Sequence, residues 1–438
     1  MSPDAAPPFP PPGFVPVQSR LPGIEIYQPA PPENTPQPEV VDFKCPQCGA
    51  VTAYSAADGG LTCTHCGYFE APQAAAVGRR AEQLEFTVET LEKAAAQDAA
   101  LRQPQGWGES RKELACQSCG AVITLPETSL SATCTFCGSN KVLQRAAAQD
   151  GLRPRFLVPF QRDAQACETI SRGWLGSSWM TPADLKQATR LGGFNPVYLP
   201  YWCFDANTQA AWKAQVGHQE TQRYYENGEW KTRTVTKWRW ENGQVALKHD
   251  DLLEPGAARV SRKLLSEIGA FDLDGLCPYE PKFLAGVQAQ SYDIPLENAW
   301  ESARARMRET TRQACINDAS TSMVRDLSME LDFADESWRY LLLPVYVLAY
   351  QYRGAAFQAL INGQTGAIAG QRPVDWNKIW LAIAALLAPG VLLGLLGLIT
   401  IPLGGVGLGI GAFGFVLLAI GVGIAIAIYT KANAMDDI

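Results

Sequence analysis

Hydrophobic and polar positions divide the chain into contrasting stretches. Residues 1–42 are dense in proline ("PPFPPPGF", "QPAPPENTPQPE"). Proline fixes φ and removes a donor, so this part predicts an extended, disordered tail. From Leu152 the pattern becomes aromatic and mixed. "VYLPYWCFDA", "RYYENGEWKTRTVTKWRWENGQVALK" and "LLPVYVLAYQYRGAAFQALINGQTGAIAG" are rich in strand formers. Asn227-Gly228, Asn242-Gly243 and Asn362-Gly363 predict hairpin turns between such runs. Helical spacing appears in "DAQACETISRGWL", "TPADLKQATRL" and "PLENAWESARARMRETTRQACINDASTSMVRDL". These signals predict one α+β domain with antiparallel sheet over 152–374. Its halves resemble each other, each leading through a helical stretch to Leu-Pro and an aromatic strand (Leu199-Pro200 and Leu343-Pro344), which suggests an old duplication.

The C-terminal pattern is uniformly apolar. The 52 residues between Lys378 and Lys431 carry no charge. Ile379–Ile401 and Leu408–Tyr429 each exceed the roughly 20 residues that cross a bilayer, with "TIPLGGVG" as the turn between them. A buried soluble helix pair is the alternative, and the absence of charge over this length argues against it. A two-helix transmembrane hairpin is expected over 376–431. Trp376, Trp380 and Tyr429 suit its ends as interfacial anchors. Arg372, Lys378 and Lys431 flank it, and its turn has no cation. The positive-inside rule then predicts both flanks, and both termini, in the cytoplasm of a cell whose inner membrane holds the hairpin. Gly390-x-x-x-Gly394 and Gly407-x-x-x-Gly411 predict close helix approach, which we read as packing within the hairpin.

Cysteine spacing brings in chemistry. Cys45, Cys48, Cys63 and Cys66 form two Cys-x-x-Cys pairs, and Cys116, Cys119, Cys134 and Cys137 repeat them 71 residues on with every gap preserved. Glycine follows each pair (Gly49, Gly67, Gly120, Gly138), where the chain must turn sharply and φ > 0 is cheap. Zn²⁺ asks for four thiolates in a tetrahedron. Two zinc ribbons are therefore expected, at 43–70 and 113–145, each holding one structural Zn²⁺; iron in a rubredoxin-like site is the alternative. A Cys₄ site has no open coordination position, so it is structural and not catalytic. Between the ribbons, residues 71–112 predict a helical linker, with Leu84, Val88, Leu91 and Ala95 at helical spacing. Cys167, Cys203, Cys277 and Cys315 have no pairing pattern and read as buried thiols.

Composition and charge narrow the classes. Apolar residues are 47%, charged residues 18%, and the formal net charge is −7. An acidic chain argues against a dedicated nucleic-acid binder. The start has no basic cluster followed by an apolar core, so no secretory signal is expected, and paired cysteines without export read as reduced metal ligands. No phosphate-binding loop, nucleophile elbow or metalloprotease motif is present. Two stretches stay open to other readings. "KHDDLLEP" places His249 beside Asp250 and Asp251 and reads as a solvated acidic loop. "KTRTVTKWRWENG" alternates cations with Trp238 and Trp240, which would suit lipid headgroups or a nucleic-acid backbone, or simply the polar face of a hairpin.

Paired "CPxCGA…C…CG" ribbons followed by "YLPYWCFDA", "PYEPKFLAGVQAQSYD" and "LLPVYVLAYQYRGAAFQALINGQTGAIAGQRP" make the chain resemble bacterial membrane proteins filed as TFIIB-type zinc-ribbon proteins, sometimes labelled primosomal protein N′-like. The resemblance runs from about Lys44 to Pro373. The helicase label does not carry over, because there is no ATP-binding loop. Some relatives are linked to phage-shock protein A-like and flotillin-like (SPFH) partners in membrane-stress systems. The resemblance implies a non-enzymatic membrane adaptor that presents zinc ribbons to cytoplasmic or membrane-associated proteins. A membrane-tethered nucleic-acid binder is the alternative, although the first ribbon has Lys44 as its only cation between 43 and 70.

Overall fold

In the computed structural model, the described residues are 14–17, 26–29, 43–71, 75–85, 111–118, 122–126, 134, 142–146, 154–185, 190–226, 228–258, 260–400 and 405–436. Within the proline-rich start, β1 (Phe14–Val17) and β2 (Ile26–Pro29) pair antiparallel, so this part of the tail is strand rather than free chain. The first cysteine module is a three-stranded antiparallel sheet of β3 (Ala53–Ser55), β4 (Gly60–Thr62) and β5 (Phe69–Glu70). The predicted linker helix does not begin at Leu84, which lies in β6 (Leu84–Glu85); Val88, Leu91 and Ala95 fall outside the described residues. Around the second module, β7 (Arg111–Cys116) lies between β8 (Val122–Pro126) and β9 (Val142–Ala146).

The body is built from two similar runs of elements. The first is β10 (Phe156–Leu157), α1 (Ala164–Leu175), β11 (Arg190–Glu226) and β12 (Glu229–Pro255). After it come α2 (Arg262–Glu267) and β13 (Cys277–Pro278). The second run is β14 (Gln288–Ala289), α3 (Leu296–Asp318), β15 (Val324–Tyr352) and β16 (Ala355–Asn362), closed by β17 (Ile368–Gly370). Asp163 caps α1 through a 2.7 Å bond from the Ala166 amide. α3 ends at Asp318, so "STSMV" turns into strand instead of continuing the helix. In "TPADLKQATRL" the chain turns at 183–184, is helical at Leu185 and is strand from Arg190, where β11 begins, so the predicted helix does not reach the end of this stretch; 186–189 lie outside the described residues.

A pseudo-two-fold relates the two runs. β11 and β15 pair antiparallel with Leu199 opposite Leu343, so the two Leu-Pro pairs flank one point. Val197 and Tyr198 pair in parallel with β14, while Leu341 and Leu342 pair in parallel with β10. Each short strand thus joins the long strand of the other run. Proline is usually excluded from a central strand because it lacks an N–H. Here Pro200 sits where the neighbour of β11 changes from β14 to β12, and Pro344 where that of β15 changes from β10 to β16. Their carbonyls accept the Gly256 and Gly363 amides at 2.8 and 2.9 Å.

Both faces of β11 are covered around this axis, which explains the near-continuous apolar run "VYLPYWCF". Val197, Leu199, Tyr201 and Cys203 face one core. Trp202 and Phe204 face another under α3, whose Leu296, Ala299, Trp300, Ala303 and Met307 recur on one helical face. Four register irregularities bend the long strands, one of them between Leu191 and Phe194. At the other three, an aspartate adopts positive φ: Asp251 (56°), Asp326 (54°) and Asp335 (53°). Asp tolerates the left-handed region better than most residues, and a bulge raises local twist. β15 starts at Val324 opposite Val216, so the rest of the β11–β12 hairpin projects as a two-stranded arm. Its end is closed by the Glu226↔Glu229 pair, at the place predicted for a turn, with Gly228 at φ 84°; Asn227 lies outside the described residues. Asn242-Gly243 makes no turn; it pairs with Lys213 and Trp212 inside β12.

Two apolar helices complete the chain, α4 (Trp376–Thr400) and α5 (Gly405–Asp436), each long and apolar enough to cross a membrane. They pack on each other through small residues. A Cβ on Gly397 would lie 2.6 Å from Gly411 Cα, one on Gly414 2.6 Å from the Gly394 amide, and one on Gly390 2.8 Å from the Leu418 amide. The glycine spacing therefore serves this internal contact. The hairpin base is tied to the body. Asp375 N–H donates to Met180 O (2.8 Å), Lys378 Nζ to Thr181 O (2.8 Å), and Arg372 to Trp174 O (3.0 Å) and Ser177 Oγ (2.8 Å).

Candidate metal centre and a buried ion cluster

The first cysteine module forms a four-thiol cluster. Cys45 Sγ lies 3.4 Å from Cys66 Sγ, and Cys48 Sγ 3.6 Å from Cys63 Sγ. All four sulfurs lie within 4.8 Å of one another. Sulfurs about 2.3 Å from a common tetrahedral centre would sit about 3.8 Å apart, so the residues fit Zn²⁺. Two matched turns hold them. The Gly49 amide donates to Cys45 O at 2.8 Å and the Gly67 amide to Cys63 O at 2.9 Å. Gly49 and Gly67 take φ of 74° and 75°, which only glycine adopts cheaply. Cys45 and Cys63 are buried, Cys48 and Cys66 exposed. The thiols do not titrate alike. The Cys66 amide, helped by the His65 amide and the Cys48 thiol, holds Cys63 down at about 6. Cys66 is pushed up to about 12: the Tyr68 amide lowers it, but the neighbouring Cys45 thiol and burial outweigh that contact. Four close sulfurs cannot all ionise until a cation joins them.

This module is docked, not tethered. The Tyr54 amide donates to Ala285 O at 3.0 Å, and the Tyr54 ring lies 5.4 Å from Phe283. Lys282 pairs with Glu70 and lowers its carboxyl below the ordinary value. The second module repeats the first where it can be compared. The Lys44↔Val51 bridge recurs as Ala115↔Val122, both displaced by 71. Cys116 and Cys134 are buried; Cys119 and Cys137 lie outside the described residues. β8 joins the main sheet at Ala289↔Thr124.

A second cluster was not legible as a site. Cys203 and Asp205 on β11 meet Asp251 on β12, and these three could also hold a metal by spacing alone. Arg339 on β15 occupies that position instead. Its Nη2 lies 3.5 Å from Cys203 Sγ and 3.4 Å from Asp205 Oδ2, and it pairs with Asp251. The guanidinium is 1% exposed. Burial disfavours its charge, yet Cys203, Asp205 and Asp251 outweigh that and raise its pKa. Burial also pushes the Cys203 thiol well above its ordinary value, despite Arg339, so Cys203 stays protonated. The segment after the first module closes over the group: Arg339 donates to Arg79 O at 3.3 Å, Gln83 Nε2 to Asp205, and Ser337 Oγ to Gln83 Oε1 at 3.0 Å. The available signal was a charge inside an apolar run, "WCFDA" and "WRYLLLP", each of which demands a buried partner.

The acidic stretch is therefore no solvated loop. Asp251 is nearly buried, and His249 Nε2 lies 2.9 Å from Thr208 Oγ1 against α3. Beside it, a cleft of about 820 Å³ is lined by Tyr201, Phe271, Arg79, Arg262 and Arg306, with Glu254 engaged by Arg306 and by Ser302. Cys167, Cys203, Cys277 and Cys315 are buried thiols, as predicted. On the arm, three of the four cations of "KTRTVTKWRWENG" find local acids: Lys231 pairs with Glu226, and Lys237 and Arg239 with Glu220, while Arg233 donates to Gln222 Oε1 at 3.4 Å. Trp238 carries Arg325 at 4.0 Å and Trp240 carries Lys213 at 5.1 Å. Near the tip, Tyr225 and Trp230 touch at 5.3 Å and remain largely exposed.

No family model matches the chain. It is 25% identical over 345 residues to an uncharacterized protein of Bacillus subtilis (strain 168), YdjG; the match covers 78% of this chain and 92% of that protein. No solved structure matches.

Proposed function

We propose that the protein is a membrane-anchored, non-enzymatic adaptor whose zinc-folded modules are presented to protein partners. The observation that carries this reading is the first cysteine module, a four-sulfur cluster with no open coordination position, fixed to the same body that grips the base of the apolar hairpin. The hairpin crosses the bilayer twice, the body and both termini lie on the cytoplasmic side, and each ribbon holds one Zn²⁺. Reduced thiolates and the cations Arg372, Lys378 and Lys431 at one end support that orientation. Phage-shock protein A-like or SPFH-type proteins are candidate partners through the TFIIB-type zinc-ribbon resemblance. Crosslinking in intact membranes followed by capture tests the reading. Specific partners that vanish on Cys48→Ser are expected; recovery of the protein alone would sink it.

A membrane-tethered nucleic-acid binder is the second reading, favoured by the exposed Tyr225 and Trp230 on the arm. It requires affinity that falls steeply with salt. Glu220 and Glu226 already neutralise cations there, which weakens it.

A further inference from the structure

A loop of the body meets the hairpin at one defined depth. The loop after α1, Gly176–Thr181, has Met180 buried in a cluster with Ile379 and Ala432, and one turn further along the helices Ile383 and Ile428 pack on it. The contact is fastened by the Asp375–Met180 and Lys378–Thr181 bonds, and Ser178 Oγ reaches Met435 Sδ at 4.0 Å. Trp179, next to Met180, is instead 52% exposed.

The depth follows from helix geometry. α4 has 25 residues, about 37 Å at 1.5 Å per residue. A hydrocarbon core of about 30 Å takes roughly 20 of them, leaving two or three at each end. The boundary then falls near Lys378 and Ile379, the residues that hold the loop. Trp380 and Tyr429, 57% and 41% exposed, stand at this level with ring centroids 6.2 Å apart. Indoles prefer the headgroup zone, where the ring leaves water while its N–H keeps a partner.

We propose that the Gly176–Thr181 loop is a membrane-contact site of the body itself, with Trp179 seated in the lipid headgroup region beside Trp380 and Tyr429. This rests on the membrane-spanning reading of the hairpin. The body would thus be held at a fixed height and tilt by three elements, the two helices and this loop. That is a stiffer mount than a helical hairpin on a free linker.

The test uses full-length protein in vesicles of phosphatidylcholine and phosphatidylglycerol that contain a radiolabelled lipid. A benzophenone amino acid replaces Trp179, Trp380 or Trp230 in separate variants, and lipid adducts are counted after irradiation. Trp380 reports on the hairpin alone. Trp230 is the control at the arm tip: β11 starts opposite Gln351 and Tyr350, whose O–H donates to Gln371 O next to Arg372 at the hairpin base, and Trp230 lies opposite Tyr225 at the far end of β11. Adducts at 380 and 179, with at least tenfold fewer at 230, are expected. Adducts at 380 but not at 179 would overturn the loop contact and leave the spanning reading intact. Equal labelling at 179 and 230 would mark indiscriminate surface contact and also overturn it. No adduct at 380 would remove the spanning reading and the loop contact together.

Discussion

Among the described residues, two clusters of thiols or of thiol and carboxylates lie close enough to share a cation, and one of them meets an arginine of the chain. In the body, Cys203, Asp205 and Asp251 close around Arg339. In the first ribbon, the sulfurs of Cys45, Cys48, Cys63 and Cys66 lie within 4.8 Å of one another, close enough to hold a metal ion. The difference lies in what surrounds them. The body buries large aromatic side chains around Trp202 and Phe204, each worth about 5 kcal/mol of transfer free energy. It can therefore meet the cost of desolvating a guanidinium. A module of about 30 residues has no such core, so on the proposed reading its cation comes from outside and itself supplies folding energy. Ligand spacing alone does not distinguish the two clusters; the presence of an internal cation does.

Removing the external cation should have the largest effect. A strong chelator under reducing conditions should unfold the first ribbon, since structural zinc supplies on the order of 10 kcal/mol in such modules. Protease sites within 45–66 should open while the β11–β15 sheet keeps its circular dichroism. Removing the internal cation comes next. Arg339→Met leaves Asp205 and Asp251 buried without a counter-charge and should cost about 3–5 kcal/mol in denaturant unfolding of the body, with metal content unchanged. Cys203→Ser keeps a hydrogen-bonding group beside Arg339 and should cost about 1 kcal/mol, again without loss of metal. The smallest effect concerns the seam between the regions. Lys282 holds the Glu70 carboxyl below its ordinary 4.5, so the stabilisation it gives is present above that value and fades as pH falls through the lowered one. The stability difference between wild type and Glu70→Gln should be constant from pH 7 to about 5 and shrink below. A difference that persisted into strong acid would mean the ion pair does not hold the seam.

The sequence makes the first cluster visible and hides the second, for a physical reason. Zinc ligands come in local Cys-x-x-Cys turns, so spacing, glycines and the 71-residue repeat reveal them. The Arg339 cluster draws on three strands, and no local period brings Asp205, Asp251 and Arg339 together. The same split runs through the fold. The apolar helices, the paired Leu-Pro strands and the hairpin end between Glu226 and Glu229 are local or repeated, and were readable. The length of β12 was not: Asn242-Gly243 looks like a turn, but the partner strand there outweighs its local preference. The last two residues of "TPADLKQATRL" are strand instead of helix through the same kind of tertiary pairing, at Arg190↔Gln351 and Leu191↔Tyr350. Asp250-Asp251 read as solvent-facing because a charged pair usually is; a bulge in β12 turned one of the two inward.

Metal analysis of purified full-length protein compares the two clusters most directly. Zinc per chain is measured in wild type, Cys63→Ser and Cys203→Ser. Cys63→Ser should hold one zinc fewer than wild type, and Cys203→Ser should hold as many. Equal zinc in wild type and Cys63→Ser, or a loss on Cys203→Ser, would contradict the assignment of the external cation to the first ribbon and the internal one to the body.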